Sequence, residues 1–557
     1  MKKEMMIALS IMVLAINTFA QSQEQGIKQM TEENYQTAAK IFNSLVSSTP
    51  SAGENYYYLG QSYLQLGKKD SAKQVFTQGI QADPKAPLSF VGMGEWYLNQ
   101  NDVANAKKSF DMATNLSPSK DTKTLVAIAQ AYTNAEHSNY EEAINTLNKA
   151  EAINAKDASV YVALGDVYFA ENNGGLAVDN YDRAIQMNKD VAKCNTAEGV
   201  IWKQALQYNQ SLPKFQEALK ADSSFAPAYR ELGELYYLTR QYQKAKDNYA
   251  RYLQLADKND YTKYRYVQFL FLSGDYANTI TQGKDLASRD TSNATLYRLL
   301  GYSYYKTNDY NDGIAAMTTF FRKAKQNKII DSDYIYYGRL LSKNNQDSLA
   351  VITYHKAIAI DSTDCSLRSE LANMLYKDKK YTDASNAWQS DINCLKDKAG
   401  LAEYFKLGLS YYYGNQFGKA DTAFKAAEKY NATWIQLPLF RARANARIDT
   451  NMTLGTAKAL YDSVLVLALK DTNANKTILT EVYLYDGYYA LQTMDQKSGP
   501  EVMKKAYATA IDFFNKVLRL DPNNATAKQS LDQINTALKD ANRPLAPQPK
   551  APPKQSH

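Results

Sequence analysis

The sequence offers few residues of the kind that do chemistry, and spacing decides what each is worth. "GNQFGKA" at residues 414–420 has the glycines and lysine of a phosphate-binding loop, in which backbone amides cradle a phosphate and a lysine reaches its outer oxygens. It is one residue short and lacks the closing Ser or Thr, so it reads as a turn. "DTNANKT", from Asp471, begins like a calcium loop, where side-chain oxygens alternate around the ion. Lys476 stands where glycine must make the sharp turn, and Val482 where a bidentate Glu must close the site, so this reads as a loop. The chain has only 3 His, and His137 and His355 lack metal-ligand partners at diagnostic spacing; they read as surface or packing residues. Asp and Glu are scattered, and no spacing selects a pair for hydrolysis. The expectation is no catalytic residue, no cofactor and no metal, and a protein that is not an enzyme.

What the chain has in excess is tyrosine, 44 of 557 residues, and so many rings need burial or a surface that uses them. At 45% apolar and 22% charged the composition is globular. A net charge of +7 is weak over this length, and no Lys/Arg run stands out, so no nucleic-acid partner is expected. The elements that must position the rings are legible in residues 57–84. Leu59, Tyr63 and Leu66 share one helical face, Ala72, Phe76 and Ile80 share another, "GKKD" turns between them, and Asp83-Pro84 stops the second helix.

That stretch recurs. Gly60, Tyr63, Ala72, Phe76 and Pro84 return as Gly94, Tyr97, Ala106, Phe110 and Pro118, a shift of 34 residues. The same lattice gives Gly165, Tyr168, Ala177 and Tyr181, then Gly233, Tyr236, Ala245 and Tyr249, then Gly301, Tyr304 and Tyr310, then Gly408, Tyr411, Ala420 and Phe424, and finally Ala510, Phe514 and Pro522. The pattern resembles the tetratricopeptide repeat, or TPR, a helical hairpin marked by Leu-Gly, Tyr, Ala, Phe, Ala and Pro. Small residues let helices approach closely and rings fill the space between hairpins. One hairpin cannot bury its own apolar faces, so copies must stack into a solenoid.

The expected fold is therefore all-α, a TPR superhelical solenoid of about fourteen hairpins over residues 21–523, with weak copies at 26–50, 195–223, 264–290, 364–394 and 434–464. The last hairpin carries an insertion near residues 493–502. Residues 524–541 should form a capping helix, with Leu531, Ile534 and Leu538 on one face. Residues 542–557, "RPLAPQPKAPPKQSH" from Arg543, are a Pro/Lys-rich disordered tail, a tether or a recognition peptide.

The resemblance implies that function lies on a concave groove lined by first helices. Positions just after the repeat's Tyr fall at Leu64, Leu98, Phe169, Tyr237, Phe271, Tyr305, Tyr376 and Tyr412, with Tyr413 beside the last. These form a candidate aromatic stripe for a polypeptide or a sugar, or they pack locally and stabilise the hairpins. Glu95, Asp166 and Glu234, at a neighbouring position, receive a basic partner or remain solvated charges. One TPR subclass clamps a C-terminal carboxylate with Lys and Asn on successive first helices. The corresponding positions read Tyr57 and Gln61, Val91 and Glu95, Val162 and Asp166, Arg230 and Glu234, so the clamp is absent. Cys365 opens the first helix of its unit and Cys394 closes the second, which an antiparallel hairpin brings side by side for a disulfide in an exported compartment, or leaves as two thiols. Cys194 is unpaired in either case.

Export is read from the first twenty residues. Lys2 and Lys3 precede an apolar run over residues 5–19, too short for a comfortable membrane span, and Thr18-Phe19-Ala20 suits signal peptidase. Residues 1–20 are thus a cleavable signal, with a retained anchor as the alternative, and no transmembrane segment follows. The expectation is a non-enzymatic protein-binding scaffold or assembly factor of the cell envelope, in the periplasm or on the inner face of the outer membrane. Its partners would be proteins or peptides, and the alternative is a glycan-binding solenoid.

Overall fold

The computed structural model describes residues 22–119, 121–494 and 499–539. Within them the chain forms 29 α-helices and two short 3-10 turns, and no strand. The helices come as fourteen antiparallel pairs and a final single one. The first eight pairs are α1 Gln23–Thr31 with α2 Tyr35–Ser48, α3 Gly53–Gln65 with α4 Lys69–Ala82, α5 Pro87–Leu98 with α6 Val103–Leu116, α7 Thr122–Asn134 with α8 Tyr140–Ile153, α9 Ala158–Ala170 with α10 Gly174–Gln186, α11 Val191–Gln204 with α12 Tyr208–Ala221, α13 Ala226–Leu238 with α14 Tyr242–Leu255, and α15 Asp260–Leu272 with α16 Tyr276–Arg289. Then come α17 Ala294–Thr307 with α18 Tyr310–Lys323, α19 Asp331–Lys343 with α20 Asp347–Ile360, α21 Ser366–Lys377 with α22 Tyr381–Leu395, α23 Leu401–Tyr413 with α24 Phe417–Glu428, α25 Gln436–Ile448 with α26 Thr456–Ala468, α27 Lys476–Gln492 with α28 Gly499–Leu520, and last α29 Ala525–Lys539.

One packing motif recurs in many of the pairs. Phe76 on α4 is fully buried between Gly60 on α3 and Gly92 on α5, where a Cβ would fall 2.1 and 2.3 Å from the Phe76 ring. The ring fits only because both helices present bare backbone to it. The pairing of a glycine with a ring 16 residues later recurs at Gly94 and Phe110, Gly165 and Tyr181, Gly199 and Phe215, Gly338 and Tyr354, and Gly408 and Phe424, where a Cβ would lie 2.2–2.5 Å from the ring. Some of the weak copies keep the slot, with the same or other residues. Ala372 and Trp388 occupy it in α21/α22, and Gly26 lies against Phe42 in α1/α2. The rest of each helix pair is held by alanine-rich contact faces such as Ala177 and Ala184, both fully buried.

The packing divides the chain into two compact units, one through Ser303 and one from Tyr304. The sequence expectation of a single stack over residues 21–523 did not include this division. In the first unit the N-terminal pair does more than touch its neighbour: the α1–α2 turn returns to the seventh pair, which a ladder of nearest neighbours does not require. Buried Asn34 donates through Nδ2 to the Leu255 carbonyl at 3.2 Å and accepts from the Asp257 amide at 2.8 Å. The Asp257 carboxylate accepts from the Gln36 amide and the Thr37 hydroxyl, both at 2.7 Å, so it caps the start of α2 from 220 residues away. Lys28 pairs with Asp222 at 3.2 Å, and Arg230 forks onto Glu33.

In the second unit, α29 covers the last pair: Ala527 and Ile534 are buried with Phe514 and Val517. Cys365, at the start of α21, is disulfide-bonded to Cys394 in the last turn of α22, with Cα atoms 5.6 Å apart. Cys194 in the first unit is buried, and burial pushes its thiol up to about 12. The signal expected at residues 1–20, the tail at 542–557 and residues 495–498 of the expected insertion lie outside the described residues, while residues 499–502 open α28. No described helix is long and apolar enough to cross a membrane.

Two outcomes follow for stability. Gly60→Ala should lower the unfolding free energy by about 1–3 kcal/mol, because the added methyl must displace a buried ring, and chemical denaturation measures it. Peptide mapping without reductant should recover Cys365 linked to Cys394 and Cys194 alkylatable only after unfolding. Cys365→Ser should cost about 3–4 kcal/mol if the disulfide acts by restricting the unfolded chain.

Candidate functional site

The first helices of successive pairs touch side by side, and the side chains between them form the wall on which ligand-binding residues were expected. In the first unit that wall is laced shut by charge. Gln61 on α3 donates to the Glu95 carboxylate on α5 at 2.5 Å. Asp166 on α9 pairs with Lys193 on α11 at 2.6 Å and accepts from the Tyr181 hydroxyl at 2.8 Å. Lys203 on α11 pairs with Glu231 on α13, and Glu234 on α13 accepts two hydrogen bonds from Arg265 on α15, at 2.8 and 2.5 Å. Lys123 on α7 reaches back to Glu54 on α3 at 2.7 Å.

This corrects the expectation for Glu95, Asp166 and Glu234. Glu95 is buried and Asp166 and Glu234 are half-buried, and each is already held by the neighbouring first helix or, for Asp166, by its own pair as well. The partners Gln61, Lys193 and Arg265 were missed because each is an ordinary polar residue in its own repeat and gains its role only from the next one. Register was the available signal: Gln61 and Glu95 are 34 residues apart, which places them at the same position of adjacent copies.

The candidate rings are half-buried and do not make one continuous stripe. Leu98, expected among them, is buried in the core at 3% exposure. Phe169 packs against the apolar cluster around Tyr161 and Tyr181. Tyr237 lies 5.9 Å from Phe269 with the Arg265 guanidinium 4.8 Å from its ring centre, and Phe271 sits 6.1 Å from Tyr302. Several rings also lean across their own hairpin turn onto an aromatic five residues later: Tyr237 on Tyr242, Phe271 on Tyr276, Tyr376 on Tyr381 and Tyr412 on Phe417, with centroids 5.4–6.3 Å apart. Local packing is thus part of what these positions do.

The second unit differs. Tyr305 on α17 meets Tyr336 on α19 edge-on at 5.5 Å. Tyr376 on α21 and Tyr413 on α23 are 6.2 Å apart, Tyr413 and Tyr412 are 5.4 Å apart, and Tyr412 continues to Phe440 on α25 at 5.6 Å. Ser342 takes the ring position on α19, so Tyr305 and Tyr376 belong to separate clusters. Burial pushes the Tyr376 hydroxyl up to about 12, which keeps it a neutral donor at physiological pH. Arg339 on α19 forks onto Glu370 on α21, and Arg443 on α25 onto Glu481 on α27.

His137 and His355 are exposed, and residues 414–416 form the α23–α24 turn while 417–420 open α24. No group of three His, Cys, Asp or Glu among the described residues is arranged to hold a metal. Among the described residues, neither wall gathers convergent polar groups around a cavity. Glu95 gives the wall a measurable pH signature. Burial raises its carboxyl from 4.5 to about 7, so the folded state holds a proton that the unfolded chain releases above about 4.5. The associated stability is full at low pH, falls as pH rises from about 4.5 to 7, and is flat above. Glu95→Gln keeps an acceptor for Gln61 and should raise Tm at pH 8.5 relative to the parent, with no gain at pH 4.5; thermal scans at both pH values decide it.

Comparison with known proteins finds one match over the α3/α4 pair and one spanning α8 and α9 of neighbouring pairs. Residues 53–85 match a family model described as "Tetratricopeptide repeat" and residues 135–172 one described as "TPR repeat". No curated protein matches the chain. Among solved structures, the C-terminal part of a TPR repeat-containing protein from Cytophaga hutchinsonii is similar at 26% identity over 48% of this chain and 98% of that one, with a TM-score of 0.36. The P58(IPK) TPR domain aligns at 16% identity over 58% and 97%, TM-score 0.20, and Pseudomonas aeruginosa pilF at 16% over 42% and 91%, TM-score 0.27. Two stretches thus carry the tetratricopeptide-repeat signature, and the all-helical run of hairpins around them is consistent with a TPR solenoid.

Proposed function

We propose that this protein is a non-enzymatic scaffold that binds other proteins on the first-helix wall of its second unit. The observation that carries the reading is the ring cluster of Tyr376, Tyr412 and Tyr413, half-exposed and spread over two successive first helices. Tyrosine gives large contact area at low entropy cost and adds a hydroxyl, which suits a polypeptide laid across several helices. Many weak contacts along such a wall sum to useful affinity without a pocket. The first unit, with its wall charges mutually satisfied, serves as the rigid support. The apolar run and small-residue end within residues 1–20 support export, and we assign the protein to the periplasm or the inner face of the outer membrane as an assembly or accessory factor.

Crosslinking in intact envelopes followed by pull-down tests this. The protein should capture specific envelope proteins, and Tyr376→Ala, Tyr412→Ala and Tyr413→Ala together should remove them while the fold, followed by circular dichroism, persists. Retained capture sinks the reading. Loss of binding to peptidoglycan fragments with unchanged protein capture would move the assignment to a glycan-binding solenoid.

A further inference from the structure

The charges on the second unit's wall do not cancel as those of the first unit do. From Tyr304 to Ile448 the five first helices α17, α19, α21, α23 and α25 carry nine Lys and Arg and four Asp and Glu. The four carboxylates are largely spoken for. Asp333 and Glu403 turn back onto the amides of Ile330 and Gly400 at the starts of their own helices, both at 2.9 Å, and Glu370 is held by Arg339, which leaves Asp331 in the first turn of α19. Among the cations, Arg339 and Arg443 are matched as described above, Arg441 pairs with Asp421 and Glu428 at 2.8 Å, and Arg368 is turned inward onto the carbonyls of Ser362 and Asp364.

Five cations remain without a carboxylate partner among the described residues: Lys306, Lys343, Lys377, Lys406 and Arg447, one on each of the five helices. Lys306, Lys343 and Lys377 are exposed and fall at one register position, five residues after the small residues Gly301, Gly338 and Ala372. Exposed Arg447 is near the Tyr412 hydroxyl, where its charge partly offsets the upward push of burial. Lys406 donates to the Asn373 side chain at 3.2 Å, which keeps its ammonium on the wall between α21 and α23. Two of these cations sit over rings: Lys306 lies 6.0 Å from the centre of the Tyr336 ring, and Lys406 lies 4.9 Å from that of buried Trp388. A helix dipole favours lysine in a last turn, which accounts for Lys306, Lys343 and Lys377 singly. It does not account for Lys406 in mid-helix or for the scarcity of unmatched carboxylates on the same helices.

We infer that the second unit's wall binds an extended acidic polypeptide segment, whose carboxylates meet the five unmatched cations while its backbone and apolar side chains lie on the tyrosines between them. This rests on the scaffold reading and names the chemistry of its partner. Packed helices lie about 9 Å apart. Five of them therefore span roughly 36–40 Å, which an extended chain at about 3.3 Å per residue crosses with about 12 residues. Complementary charge along such a path sets register and speeds encounter, and its contribution weakens as salt rises.

Fluorescence anisotropy on the full chain with a labelled oligoglutamate of about 15 residues provides the test. Binding is expected, weakening as NaCl rises from about 50 to 300 mM. The triple change Lys343→Glu, Lys377→Glu and Arg447→Glu should weaken it by at least about tenfold. The exposed second-helix triple Lys107→Glu, Lys108→Glu and Lys149→Glu, with the same change in net charge, should leave it within about twofold. The inference is overturned if oligoglutamate does not bind, if both triples weaken it equally, or if an oligothymidylate of matching length binds as tightly and responds to the wall triple in the same way. If envelope-protein capture survives the wall triple but is lost with the tyrosine changes, the scaffold stands and the acidic partner falls. If capture survives both, the scaffold reading falls as well.

Discussion

A buried aromatic ring clasped between two helices that have no side chain at the point of contact is the constraint from which the rest follows. Phe76 between Gly60 and Gly92 shows it best, because the same ring serves its own hairpin and the next one. Such a ring fixes how closely the helices approach and how far each is rotated, so the slot sets both the hairpin and its stacking. Repetition then needs no new information: once one pair is placed, the next must present its own small residue to the ring behind it. Where the slot residues change, as with Ala372 and Trp388, volume moves from one side of the contact to the other and the geometry is kept.

The same register that stacks the rings also aligns the wall side chains, and the two units use that alignment differently. In the first unit, polar residues on neighbouring first helices satisfy one another, from Gln61 with Glu95 to Glu234 with Arg265, and the Asn34–Asp257 contacts join its first pair to its seventh. Partly buried ion pairs of this kind add little net stability over apolar packing, but removing one partner strands the other, so they favour a single arrangement of adjacent hairpins. In the second unit, cations and tyrosines stand on successive helices with few carboxylates between them. A surface that has not matched its own charges is better suited to meeting a partner's.

Much of this architecture was legible beforehand. The 34-residue shift of Gly, Tyr, Ala and Phe announced the hairpins, since a packing slot reused along the chain must leave the same residue types at the same spacing. The weak copies were placed correctly for the same reason, although Trp388 and Ala372 disguise one of them. The candidate face was legible only as a set of positions. That Leu98 is core while Tyr376 is half-exposed, and that Tyr376, Tyr412 and Tyr413 meet while Phe169 does not join them, depends on which neighbouring side chains fill the space, and a periodic pattern does not carry that.

By itself, then, the sequence determined the element type, the repeat period and the residues that must be small or aromatic, because these follow from local helix periodicity and from one contact repeated at fixed separation. Tertiary structure alone decided which charges are matched and which are left over. Glu95 and Lys377 are both charged residues near the ends of first helices, yet one is sealed against Gln61 and the other stands exposed. Electrostatic partners on adjacent hairpins are chosen by through-space distances of a few ångströms between side chains roughly 30 residues apart, and no local pattern in the chain records those distances.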